Sequence, residues 1–137
     1  ISQDNEKSAK DYEAKLDELG GQDLQILGVG TNGHIGFNEP KESLSYITHV
    51  ETLTESTINA NKRFFKSIDE VPNTAVSMGI GSIFKSKKII LLAFGQAKAD
   101  AIASMKSNLI TTQCPVSLLK LHQDVTIILD EAAASKL

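Results

Sequence analysis

Apolar residues recur along this chain at two spacings, one typical of helices and one typical of strands. Apolar positions three or four residues apart predict helices at 5–19, 55–65, 96–107, 115–121 and 130–136, with a shorter helical turn at 82–86. Short apolar runs between glycine, proline or charged residues predict strands at 23–29, 74–80, 87–94 and 124–129. Strands alternating with helices indicate an α/β fold, here an open, Rossmann-like three-layer sandwich with a mainly parallel sheet.

The strand predicted at residues 87–94 is the most apolar stretch of the chain, because every residue from Ile89 to Ala93 is apolar. An unbroken run of this kind is typical of a central parallel strand that is covered on both faces. Right-handed crossovers place the carboxyl ends of parallel strands at one edge of the sheet. We therefore expect the loops after the four strands to share a rim. These loops follow Val29, Ile80, Phe94 and Leu129.

Local signals refine the helix boundaries. The first helix is expected to present Ala9, Tyr12, Leu16 and Leu19 on one face and to stop at the glycine pair that follows. Thr54 is the predicted N-cap of the second helix. Residues 41–50 have no clear period, and Tyr46, Ile47 and Val50 predict either a lid or a short strand there.

Length and charge narrow the class of protein. The 137 residues carry a net charge of −3 with interspersed signs, which predicts one α/β domain over 1–137 and favours neither a nucleic-acid partner nor a membrane. The single cysteine, Cys114, fits a reducing, cytoplasmic compartment. The chain begins with Ile1 rather than Met, and its first residues suit the approach to a helix. We therefore expect the fold to be incomplete at its N-terminus.

The candidate chemistry lies in the loop after the first predicted strand, within residues 24–40. Gly30 and Gly33 allow tight turns or close approach of the backbone to a ligand, so with Thr31 they predict a substrate-binding loop. Ligands of open α/β folds bind at the carboxyl ends of the strands. The glycine spacing resembles a dinucleotide fingerprint, but Pro40 argues against the long helix which that motif requires, and the chain has no P-loop sequence.

His34, Glu39 and Asn32 are the candidate catalytic residues of this loop. An imidazole passes protons in both directions near neutral pH, and a nearby carboxylate fixes its tautomer. Asn32 is able to hydrogen-bond the ring or the substrate. Arg63 and Lys98 are candidate anion-binding residues, because Lys98 opens a helix directly after the central strand and a guanidinium grips phosphate with two hydrogen bonds. The spacing of His, Cys and Asp predicts no metal site.

The loop G-V-G-T-N-G-H-I-G-F-N-E-P at residues 28–40 resembles the signature of the glucosamine-6-phosphate deaminases. Further matches continue in register through most of the chain, at residues 52–54, 60–65, 71–72, 78–81 and 95–98. The resemblance implies conversion of glucosamine 6-phosphate to fructose 6-phosphate and ammonia, an isomerisation coupled to deamination in amino-sugar metabolism. It implies a phosphosugar as the small-molecule partner, and no cofactor.

The resemblance also implies roles for single residues. His34 is similar to the acid/base that opens the sugar ring, and Glu39 to the carboxylate that orients it. Asn32 stands where family members carry Asp or Asn, and Arg63 and Lys98 match the side chains that bind the phosphate.

Two departures from the family pattern matter. The aspartate that acts as enolisation base and a glycine-rich phosphate loop precede this region in the family, so the chain resembles a C-terminal half and is expected to be inactive alone. Ile47, His49 and Glu51 stand where allosteric members carry basic residues, which favours a monomer or small homo-oligomer without allosteric activation.

Two other functions stay open from the sequence. A sugar-phosphate-sensing domain of the same fold would need Arg63 and Lys98 but no proton shuttle. A 6-phosphogluconolactonase would share the Gly-x-x-Gly-His core but continue differently after it.

Overall fold

A computed structural model describes residues 5–137, and the predicted approach to a helix in residues 1–4 lies outside them. Within the described range the α-helices are α1 (Asn5–Glu18), α2 (Glu55–Asn61), α3 (Ile80–Phe84) and α4 (Ala99–Lys106). The strands are β1 (Leu24–Gly28), β2 (His49–Thr52), β3 (Thr74–Ser77), β4 (Lys88–Ala93) and β5 (Val125–Leu129). This architecture confirms the predicted α/β class. None of the helices in the described part is long and apolar enough to cross a membrane.

The main sheet is parallel, with the strand order β1-β4-β5. Ile26 pairs with Ile90, and Leu91 pairs with Ile127, so β4 lies between the other two strands. The unbroken apolar run therefore predicted the central position of this strand correctly, whereas the described residues cover only one of its faces. The carboxyl ends of all three strands meet at one edge, which carries the loops after Val29, Phe94 and Leu129.

The expectation for the loop after Ile80 is wrong. The strand predicted at 74–80 ends at Ser77 and pairs antiparallel with β2 in a separate two-stranded sheet. The chain then turns into α3, because the N–H groups of Ile80 and Gly81 bind the carbonyls of Ser45 and Tyr46. A Cβ atom at Gly81 would lie 2.4 Å from the Tyr46 ring, so a larger residue here would displace that exposed ring. Part of the region 41–50 thus forms a short strand, one of its two predicted structures.

One face of the parallel sheet holds the core. Its residues include Leu27, Ile89 and Leu91, which pack with Ile83 of α3 and Ile102 of α4. The opposite face is not covered by the described residues. Its exposed apolar residues are Leu24, Ile26, Phe94 and Ile128.

Three helix predictions need correction. On α1 the buried residues are Ala9, Glu13 and Leu16, whereas Tyr12 and Leu19 are exposed. The buried carboxylate of Glu13 is stabilised by hydrogen bonds from other elements, which the helical period does not reveal. The helix predicted at 55–65 ends as α2 at Asn61 and continues as a 3₁₀ turn, and residues 130–136 form turns instead of a helix. Thr54 caps α2 as predicted, by accepting from the backbone N–H of Thr57.

Candidate active site

The loop after β1 folds back on itself and places the imidazole of His34 over Gly30. The N–H of Gly30 donates to the carbonyl of His34 at 2.9 Å, and the N–H of Gly33 donates to the carbonyl of Gly30 at 3.0 Å. The Oδ1 of Asn32 accepts from the N–H of His34 at 3.2 Å. A Cβ atom at residue 30 would lie 2.3 Å from the imidazole ring. Only glycine therefore fits beneath the ring.

Gly33 has a different role in the same loop. Its φ of +85° lies in the left-handed region that favours glycine. A Cβ atom there would also lie 2.5 Å from the Sγ of Cys114. Gly33 therefore shapes the turn and the packing behind it.

His34 and Glu39 form a pair at the bottom of the loop. The Nδ1 of His34 lies 3.3 Å from the Oε2 of Glu39, within ion-pair distance but without the alignment of a hydrogen bond. The Glu39 side chain is 5% exposed, and the imidazole is 24% exposed. The carboxylate is thus screened from solvent while part of the ring remains accessible.

Two elements hold the carboxylate of Glu39. The Nδ2 of Asn32 donates to Oε2 at 2.7 Å, and the hydroxyl of Thr57 on α2 donates to Oε1. Burial alone would raise the pKa of Glu39, but the hydrogen bonds from Thr57 and Asn32 and the neighbouring His34 together lower the pKa below its ordinary value. Glu39 is therefore ionised near neutral pH, and Asn32 supports Glu39 directly.

The pair opens into a cleft of about 390 Å³, a volume within the range of small-molecule sites. Most of the predicted site residues line it, namely Gly30, Thr31, Asn32, His34, Arg63 and Lys98. The guanidinium of Arg63 lies 4.8 Å from the centre of the Phe64 ring, a cation–π contact within the 3₁₀ turn after α2. Two cationic side chains in one cleft favour an anionic ligand.

Lys98 ends a 3₁₀ turn, Gln96–Lys98, that precedes α4. The backbone N–H of Gly95 is already bound by the Asp130 carboxylate, at 3.0 Å from each oxygen. The anion site expected here was to combine free backbone N–H groups with the Lys98 ammonium, and the N–H of Gly95 is not free to take part in it. The Lys98 ammonium remains the cationic group that this turn contributes to the cleft.

Three further residues that line the cleft were not predicted from the sequence, namely Thr57, Asn61 and Phe37. The signal for Thr57 was present, because a hydroxyl residue three positions after the N-cap Thr54 lies in the first turn of α2. No sequence pattern indicated that this hydroxyl faces Glu39, which is 18 positions away. In residues 5–137, no group of three or more His, Cys, Asp or Glu side chains is placed to hold a metal ion.

A family model described as glucosamine-6-phosphate isomerases/6-phosphogluconolactonase matches residues 1–128. The chain belongs to this family. Similar curated proteins named glucosamine-6-phosphate deaminase come from Thermoanaerobacter sp. (strain X514), 58% identical over 98% of this chain, and Clostridioides difficile (strain 630), 58% identical over all of it. The chain spans 53% and 55% of these two relatives, about half of their length.

Solved structures of the glucosamine-6-phosphate isomerase/6-phosphogluconolactonase family have the same architecture. A monomeric glucosamine-6-phosphate deaminase superimposes with a TM-score of 0.94 at 48% identity, over 99% of this chain and 56% of that protein. A 6-phosphogluconolactonase from Trypanosoma cruzi superimposes with a TM-score of 0.72 at 22% identity, over 100% of this chain and 54% of that protein, a likeness of fold.

Proposed function

We propose that the protein containing this chain is a glucosamine-6-phosphate deaminase, which converts glucosamine 6-phosphate and water to fructose 6-phosphate and ammonia. The observation that carries the proposal is the His34–Glu39 pair facing a cleft that Arg63 and Lys98 also line. In this proposal the chain supplies the ring-opening and phosphate-binding side chains. The similarity to curated glucosamine-6-phosphate deaminases supports the choice of substrate.

The imidazole of His34 opens the pyranose ring in the proposed mechanism. Ring opening removes a proton from the anomeric hydroxyl and delivers one to the ring oxygen while the bond between the anomeric carbon and that oxygen breaks. A single imidazole performs both transfers when its exposed edge faces the sugar. The carboxylate of the buried, ionised Glu39 lies 3.3 Å from Nδ1 on the other edge of the ring and stabilises the imidazolium form that appears between the two transfers.

Arg63 and Lys98 hold the phosphate group in the proposed complex. A dianionic phosphate is remote from the reacting carbons, so its binding energy orients the sugar over His34. The guanidinium is able to contact two phosphate oxygens at once, and the ammonium of Lys98 adds a second cation.

We further propose that the chain corresponds to the C-terminal half of the deaminase and that the base for proton removal at C2 comes from elsewhere in the protein. Two observations support a larger protein, though not the choice of half: the chain spans about half the length of its relatives, and the apolar face with Leu24, Ile26 and Ile128 is exposed in the described residues. The 137-residue chain by itself is then inactive, and no allosteric activation of a monomer or small homo-oligomer is expected.

An assay of ammonia and ketose release tests the function. The full-length protein is incubated with glucosamine 6-phosphate, and the 137-residue chain is measured in parallel. Equal amounts of ammonia and fructose 6-phosphate from the full-length protein, and none from the shorter chain, are the expected result. Binding of the phosphosugar without either product would indicate a sensor, and hydrolysis of 6-phosphogluconolactone without ammonia would indicate a lactonase.

A further inference from the structure

The two oxygens of the Glu39 carboxylate have separate partners. Oε2 faces the glycine loop, where it accepts from Asn32 and lies 3.3 Å from the Nδ1 of His34. Oε1 faces α2, where the hydroxyl of Thr57 donates to it and the hydroxyl of Thr54 lies 3.4 Å away. The carboxylate is therefore held from both sides, by Asn32 at Oε2 and by Thr57 at Oε1.

Thr57 is built into α2 in a way that leaves its hydroxyl little freedom. Its side chain is buried, and its backbone N–H binds the N-cap hydroxyl of Thr54 at 3.3 Å. Its carbonyl accepts from the Nδ2 of Asn61 at 2.9 Å. A β-branched side chain in a helix has few rotamers, so the hydroxyl is held towards Glu39 before any ligand binds.

We propose that Thr57 is a positioning residue for the reaction: its hydroxyl fixes Oε1 of Glu39 so that Oε2 remains directed at His34. This inference rests on the proposed function, in which His34 moves the protons of ring opening. The same short helix leads into the turn that carries Arg63, so one element orients the acid/base pair and supplies a phosphate-binding side chain.

The pH dependence expected from this arrangement follows from the groups that face Glu39. In the described residues these are His34 and Asn32 on the loop and the hydroxyls of Thr54 and Thr57 on α2, while Arg63 and Lys98 supply positive charge across the cleft. A hydrogen bond to the ionised carboxylate lowers its pKa, so loss of the Thr57 hydroxyl raises the pKa of Glu39. The acidic limb of the activity profile then moves to higher pH.

The test compares Thr57→Val with Thr57→Ser in the full-length protein. Valine keeps the branched shape and removes the hydroxyl, whereas serine keeps the hydroxyl. For Thr57→Val we expect kcat to fall about 10-fold with little change in KM, and the acidic limb of kcat/KM to shift upward. Thr57→Ser should restore both quantities. Thr52→Val, an exposed threonine on β2, serves as the matched control and should behave as the wild type.

A double substitution gives a second readout. In a Glu39→Gln background, Thr57→Val should reduce kcat by much less than it does in the wild type, because the group that Thr57 positions has already changed. The inference would be overturned if Thr57→Val reduced kcat equally in both backgrounds. It would also be overturned if Thr57→Val lowered kcat without shifting the pH profile and Thr57→Ser did not restore kcat. Thr57→Ala replaces Thr57→Val in this comparison if the valine variant does not fold.

The titration of the Glu39 carboxyl group, followed by ¹³C NMR, separates this inference from the proposed function. If the wild-type protein releases no ammonia but the titration of Glu39 still shifts upward in Thr57→Val, the proposed function is refuted and the positioning of Glu39 by Thr57 stands. If the wild-type protein is active but Glu39 titrates identically in the wild type and in Thr57→Val, only the positioning role is refuted.

Discussion

Glu13 and Glu39 are both buried carboxylates that accept hydrogen bonds from threonine hydroxyls, but they lie in different parts of the molecule. Glu13 on α1 accepts from the N–H and hydroxyl of Thr48 at 3.0 and 2.6 Å and from Ser82 at 2.7 Å, and Lys85 lies 3.2 Å away. Burial alone would raise its pKa, yet these hydrogen bonds lower the pKa to about 2. Glu39 has instead a histidine partner that opens into the cleft.

The difference between the two carboxylates teaches how to recognise a functional one. A buried, ionised carboxylate with a full set of donors joins elements of the scaffold, and for Glu13 these are α1, the segment before β2, and α3. Its partners have fixed positions and do not reach the cleft. At Glu39 one partner is an imidazole with an accessible edge, so in the proposed mechanism the same kind of burial serves proton transfer.

The largest expected effect is on stability and concerns Glu13. Glu13→Ala in the full-length protein leaves the N–H and hydroxyl of Thr48 and the hydroxyl of Ser82 without their acceptor, which should reduce the free energy of unfolding by about 3 kcal/mol. Denaturant unfolding measures this loss. Asp17→Ala, which removes an exposed partner of Lys85, is the control and should change stability by less than about 0.5 kcal/mol. Similar losses of stability in Glu13→Ala and Asp17→Ala would contradict the structural role given to the buried Glu13 carboxylate.

The next effect concerns the group that sets Glu39 apart. His34→Ala should lower kcat by about 10²-fold, the usual contribution of a general acid–base group, while the free energy of unfolding changes little. Turnover of the cyclic substrate by the full-length variant measures the change. His49→Ala, at a histidine that pairs with Glu51 on β2, should retain activity. An unchanged kcat for His34→Ala would show that the imidazole does not open the ring.

A smaller effect is expected when the imidazole is displaced and not removed. Gly30→Ala places a methyl group 2.3 Å from the ring, so the ring must leave its observed position and kcat should fall about 10-fold. Gly28→Ala, whose added Cβ meets open space, should cost less. If the two alanine variants are equally active, the position of the ring over Gly30 is irrelevant to catalysis.

Lys98→Ala should act on binding and leave the proton transfers largely intact. Removal of one of the two cleft cations should raise KM for the phosphorylated sugar about 5-fold and change kcat little. Steady-state kinetics with phosphorylated and unphosphorylated sugars measure the split. An equal loss with both sugars would indicate a general structural effect and would argue against phosphate binding by this residue.

The smallest expected effect is the acid sensitivity of Glu13. Its pKa of about 2 in the folded protein lies below the ordinary value of 4.5, so the unfolded chain binds a proton first as the pH falls. The stabilisation is complete above about pH 4.5 and is lost as the pH falls towards 2. The free energies of unfolding of the wild type and Glu13→Gln should therefore differ less at pH 4 than at pH 6. A constant difference between them would contradict the assignment.

The sequence predicted the parallel sheet and the glycine loop that lines the cleft because both depend on local patterns. The apolar run from Ile89 to Ala93 indicates burial in the sheet, and the glycines around His34 indicate a turn at the end of a strand. Glu39 is only five positions after His34, so their contact was within reach of the same reasoning.

Contacts between distant segments were not predictable in the same way. The run at residues 74–77 is apolar enough for a strand, but nothing in it fixes its antiparallel pairing with β2. The burial of Glu13 depends on Thr48 and Ser82, and the role of Thr57 depends on Glu39. Each of these contacts exists only once the chain has folded, so helical period and residue type alone do not indicate them.

A crystal structure of the protein with a bound, cyclic amino-sugar phosphate tests the central claim most directly. The account predicts the exposed edge of the His34 imidazole at about 3 Å from the ring oxygen or the anomeric hydroxyl, with the phosphate against Arg63 and Lys98. A sugar bound with its ring oxygen and anomeric hydroxyl beyond the reach of His34, or with its phosphate away from both cations, would contradict it.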